Sequence, residues 1–90
     1  MAEVVVGGNT FEISSKNKNW TCCDLKDGFL VLVNWDISED DIIEEIEESQ
    51  FTDIEHNTFF KSKRNRAYCF RFKIDKSREE ELHRWLDKFN

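Results

Sequence analysis

Ninety residues, 39% hydrophobic and 36% charged with a net charge of −6, suit one folded domain and leave no room for two cores or for a wholly disordered chain. The longest apolar run, residues 29–33, is strand-sized rather than membrane-spanning, and the first residues lack the charged and long apolar regions of a secretion signal. Three cysteines, two of them adjacent, do not make a disulfide framework, so a reducing, cytoplasmic setting is expected.

Residues 4–6 and 10–13 read as a β-hairpin around Gly7, Gly8 and Asn9, which supply the positive-φ positions of a tight turn. Residues 14–19 read as a polar loop. A second hairpin is expected from 20–25 and 29–35, with Asp27-Gly28 as its turn. Residues 29–33 are apolar at every position, which suits a central strand covered on both sides or lying near a helix.

A helix opens at Ser38, where the hydroxyl can cap and Asp41 can reach back. It places Ile42, Ile43 and Ile46 on one side and ends near residues 49–50. Residues 52–60 and 66–74 form a third hairpin around the basic stretch 61–65. In its second strand Tyr68, Phe70, Phe72 and Ile74 alternate with Ala67, Cys69, Arg71 and Lys73. Asp53 and Glu55 can then pair across the strands with Arg71 and Lys73. Ser77 to Glu80 read as the capping box of a last helix. Its buried stripe is Leu82, Trp85, Leu86 and Phe89. The expected fold is α+β, an antiparallel sheet of about 5–6 strands with two helices packed on one face, in the order ββββ-α-ββ-α.

Charge is segregated along the chain. Residues 1–35 carry three cations and four acids, residues 36–55 carry ten acids and no Lys or Arg, and residues 56–90 carry ten cations and five acids. At about 100° per residue the three Ile of the first helix share one arc. Asp40, Asp41, Glu44, Glu45, Glu47 and Glu48 take the opposite arc. Four of these carboxylates lie in the C-terminal half, where the helix dipole disfavours anions, and no cation stands four residues on to offset them. The bland account is an ordinary solvated face, neutralised by the chain's own basic hairpin. The sharper account is a binding face for a cationic partner, since carboxylates four apart rise about 6 Å, close to the phosphate spacing of a nucleic-acid strand.

Other chemistries are weaker. Asp36, Ser38, Asp40, Glu44 and Glu47 fit five ligand positions of an EF-hand loop, but Asp41 stands where the turn needs Gly. Adjacent Cys22 and Cys23 point to opposite faces of a strand, which argues against a zinc site shared with Cys69, His56 or His83. His83 reads as a surface residue. No phosphate loop or paired-histidine motif is present. The expectation is therefore no enzyme, no metal and no cofactor. Residues 66–70 resemble the RNP1 strand of RNA-recognition motifs, departing from it at Ala67, Cys69 and Lys73. With Lys61, Lys63, Arg64 and Arg66 as phosphate contacts, they carry the alternative reading of a nucleic-acid-binding domain.

The leading expectation is a small acidic protein-interaction module, an inhibitor or adaptor that engages the basic, nucleic-acid-binding surface of a larger protein. In size and charge the chain is similar to phage-encoded anti-defence proteins, including anti-CRISPR proteins and DNA mimics. Its contacts would be the six helix carboxylates, with aromatic anchors drawn from Trp20, Trp35 and Phe51. A third reading is a salt-sensitive homo-oligomer, in which the acidic helix of one copy meets the basic hairpin of the next. A monomer or small oligomer is expected, with no membrane association.

Overall fold

The computed structural model describes residues 2–34, 39–51, 54–61 and 66–89, the side chains of residues 39, 55–61, 66 and 67 excepted. Six strands, β1 (Glu3–Val6), β2 (Asn9–Lys16), β3 (Trp20–Leu25), β4 (Gly28–Asn34), β5 (Ile54–Lys61) and β6 (Arg66–Phe72), pair antiparallel in the order β1-β2-β3-β4-β6-β5. Helix α1 (Glu39–Glu47) joins β4 to β5, and α2 (Glu79–Leu86) follows β6 between two short 3₁₀ turns. This is the α+β order expected from the sequence.

The first turn is set by its glycines. Gly7 and Gly8 have φ of 57° and 81°, the left-handed pair that matches hairpin twist. Strand β2 then runs further than expected. Its Ser14–Lys16 part, read as a loop, is strand. The register shifts between Ile13 and Ser15 as β2 passes from pairing β1 to pairing β3. A bulge of this kind bends a strand, and the Ser14 hydroxyl fastens it by donating to the Cys22 carbonyl at 3.1 Å. Asn17 then closes the link to β3, its side-chain oxygen accepting from the backbone N–H groups of Asn19 and Trp20 at 2.8 and 2.9 Å.

The β3–β4 turn also differs from expectation. Leu25 pairs with Gly28, so Lys26 and Asp27 make the turn and Gly28 belongs to the strand. Gly28 does not have a positive φ. It is needed because a Cβ there would overlap the Phe72 carbonyl oxygen.

Cross-strand register divides the sheet into two faces. On one, Trp20–Val33–Tyr68, Cys22–Val31–Phe70 and Phe29–Phe72 stand in rows across β3, β4 and β6. All are buried, and Ile42 of α1 with Leu82, Trp85 and Leu86 of α2 join them in one core. Both helices thus cover this face. Phe51, which follows α1, meets Phe72 and Trp85 edge-on at 5.5 and 5.8 Å between ring centroids, and Trp85 meets Phe89 at 5.0 Å. Such edge-to-face packing adds to the burial itself. The opposite face carries a second, smaller cluster. Cys23, Leu30 and Cys69 are buried there, and Val4, Val6, Phe11, Ile13, Leu25 and Leu32 are half-buried around them.

Before α2 the cap is not Ser77. The Asp75 side chain accepts from the Ser77 N–H at 2.8 Å and opens a 3₁₀ turn that leads into the helix. That hydrogen bond holds the Asp75 carboxyl below its ordinary value. The rest of α2 obeys the sequence pattern, with Glu79, Glu80 and Glu81 in its first turn and Leu82, Trp85 and Leu86 buried.

Candidate functional site: the outward face of the acidic helix

Helix α1 is held by its isoleucines. Ile42 is fully buried and Ile46 packs against the same core. Burying one such side chain contributes about 2 kcal/mol, enough to fix which way a nine-residue helix faces. Beyond the helix, Glu48 N–H still donates to the Glu44 carbonyl and Ser49 N–H to the Ile46 carbonyl, both at 3.0 Å. The Ser49 hydroxyl bridges the Phe51 N–H and carbonyl at 3.3 Å each, turning Phe51 inward.

The carboxylates do not all stand alike. Glu45, on the flank nearest the core, is half-buried and accepts from Lys88 Nζ at 2.8 Å. Lys88 also lies 6.0 Å over the Trp85 ring. This contact comes from the far end of the chain, so no local spacing announces it. Asp41 is exposed and takes part in a further interaction. Asp40, Glu44, Glu47 and Glu48 are exposed and have no ion pair among the described residues. Successive members of Asp40, Glu44 and Glu48 rise by about 6 Å along the axis. No basic residue stands in the last turn of α1.

Two cations that follow β6 are engaged with other groups. Arg78 donates to both carboxylate oxygens of Glu81 at 2.8 and 3.1 Å and lies 4.8 Å over the Phe51 ring. The pairing raises the Arg78 pKa and lowers that of Glu81. Lys76 donates to the Gly28 carbonyl at 2.5 Å, reaches Asp24 at 3.4 Å and lies 4.3 Å over the Phe29 ring.

Two of the proposed aromatic anchors are core residues. Phe51 is 4% exposed and Trp20 is 5% exposed, so neither can reach a partner. Trp20 instead donates its indole N–H to Asp87 at 3.3 Å and stacks at 5.0 Å against His83. That contact half-buries His83, which is therefore not the plain surface residue expected. Trp35, Lys63 and Arg64 lie outside the described residues, as do Asp36, Ser38 and Asp53 of the cap, calcium and cross-strand readings. Lys61 and Arg66 face one another in the register of β5 and β6, their side chains not being described. Exposed Lys16 and Lys18 stand at the same end of the sheet, since Trp20 pairs with Val33 and Asn34 pairs with Ala67.

The calcium-loop frame fails on geometry. It needs residues 40–47 in a loop that wraps an ion, and they are helical. Cys22 and Cys23 do face opposite sides of β3, one in each apolar cluster. All three thiols are free and buried. Desolvation pushes Cys22 up to about 12 and Cys23 and Cys69 up to about 11, which keeps them neutral and poorly nucleophilic. Among the described residues no three His, Cys, Asp or Glu gather as a metal site, and no helix is long and apolar enough to cross a membrane. Comparison of the chain with family models, with curated proteins and with solved structures finds no match.

Proposed function

We propose that this protein is a non-enzymatic interaction module whose acidic helix engages the basic, nucleic-acid-binding surface of a larger protein, as an inhibitor or adaptor of the DNA-mimic type. One observation carries the reading. Asp40, Glu44, Glu47 and Glu48 stand exposed and without ion pairs among the described residues, on a helix whose other side is locked into the core. A helix free to turn would offer no fixed pattern of charge. Anchored by Ile42, this one presents an array, and an array of like charges steers and orients a complementary surface. The three free thiols support a reducing, cytoplasmic setting.

The test is capture from a nuclease-treated lysate by immobilised protein, with a short DNA duplex as competitor. The expected partner is a nucleic-acid-binding protein that the duplex displaces and that the variant carrying D40K, E44K, E47K and E48K does not retain. Equal retention by that variant contradicts the proposal.

A second reading draws on the basic residues. Lys16, Lys18, Lys61 and Arg66 share one end of the sheet, and such a cluster suits phosphate contacts. Filter binding of single-stranded RNA at low salt separates the readings. Retention that falls steeply with salt and with K16E and K18E favours direct nucleic-acid binding.

A further inference from the structure

The sheet has one edge strand, β1, whose exposed centre is apolar. Strand β1 pairs only with β2, so its outward N–H and C=O groups have no ladder partner within the sheet. Edges are ordinarily blunted by lysine, proline, a bulge or an inward charge. Strand β1 has no lysine, proline, bulge or inward charge, and its only protection is its four-residue length and Glu3 at its start. At its centre Val5 is 60% exposed, the one large hydrophobic so exposed among the described residues.

The order Val4-Val5-Val6 is self-complementary. We propose that β1 pairs antiparallel with β1 of a second copy about a twofold axis through Val5. Val5 then meets its own counterpart, and Val4 of each copy meets Val6 of the other. Opposed residues of antiparallel strands share a face. Val4 and Val6, half-buried in the second apolar cluster, therefore join the two clusters into one across the axis. In this register Glu3 lies opposite Gly7 rather than opposite Glu3, so no like charges are opposed. An isologous contact of this kind closes at two copies. Because the inference uses neither α1 nor the basic end of the sheet, it does not depend on the function proposed above.

Sedimentation equilibrium of the full chain, from about 1 µM to about 1 mM, tests it. A dimer is expected that persists at about 1 M salt, where surface charge is screened within about 3 Å, and that is indifferent to charge reversal on α1. Val5→Lys would set two ammonium groups face to face on the axis and is expected to weaken the dimer at least about tenfold. Val5→Thr, which keeps the β-branched shape, should retain it. Circular dichroism of both variants should match the wild type, because Val5 lies outside the core. Amides of β1 should gain hydrogen-exchange protection as concentration rises. A monomer throughout that range overturns the proposal. So does a dimer that Val5→Lys leaves intact, or one that salt or α1 reversal dissolves, which would point to acidic helix meeting basic hairpin instead.

Discussion

Gly28 and Gly7 show how the same residue type serves two physical ends. Gly28→Ala forces a methyl into the Phe72 carbonyl and should cost about 2–3 kcal/mol in urea unfolding. Gly7→Ala meets no atom but must hold a positive φ, and should cost about 1 kcal/mol. The buried thiols give a pH signature. In the unfolded chain they ionise near 9, while in the fold they hold their protons to about 11 or 12. Their contribution is thus fully present below pH 9 and is lost as pH rises from there through the folded values, at up to about 1.4 kcal/mol per thiol per pH unit. Urea unfolding at stepped pH should show the decline above 9, and Cys69→Ala should make it shallower. Single residues were the hardest to read from sequence. Asp27-Gly28 carries a turn signal, yet Gly28 is set by a backbone that approaches from β6, forty-four positions away in the chain. Phe51 borders a loop in sequence and is buried because Ser49 turns it inward. Asp75 rather than Ser77 acts as a cap because a 3₁₀ turn precedes the helix, and Asp75, two residues earlier, opens that turn by accepting from the Ser77 N–H.

Elements whose pattern is periodic were legible, because burial imposes that period. Phe70 and Phe72 of β6, Ile74 just beyond the strand, which ends two residues short of the expected 66–74, and the Leu82, Trp85 and Leu86 stripe of α2 are buried as their spacing implies. What the pattern lacked was the bend in β2, since a bulge is fixed by two partners at once, β1 and β3. Helix α1 was legible as a helix and as an acidic face, and the loss of Glu45 to Lys88 was not. Its two sides should answer mutation oppositely. Ile42→Ala should cost about 3 kcal/mol. Glu44→Lys should cost nothing and raise the melting temperature slightly, because it relieves the dipole and gains Asp40 and Glu48 as i,i±4 partners. Thermal unfolding of the two variants checks this. Lys88→Ala should cost under about 1 kcal/mol, since both members of its ion pair are more than a third exposed.

Across the whole molecule the acidic stretch of the chain becomes the outward face of one helix. By strand register, Lys16, Lys18, Lys61 and Arg66 stand at one end of the sheet. Overall charge and element order were readable in advance, whereas which cations neutralise which acids depends on contacts between distant parts of the chain. The second apolar face had a signal in residues 29–33, where β4 is apolar on both sides and only one side receives helices. Under the proposed function, the local, outward carboxylates of α1 rather than net charge would bind a cationic surface. Fluorescence anisotropy of a labelled oligo-arginine peptide isolates this claim when three proteins of matched fold are compared at low salt. These are the wild type, the α1 variant with D40K, E44K, E47K and E48K, and a variant of equal net charge with E3K, E12K, D27K and E80K. Binding should be lost in the α1 variant and largely kept in the other. Equal loss in both, or retention in the first, would contradict the account.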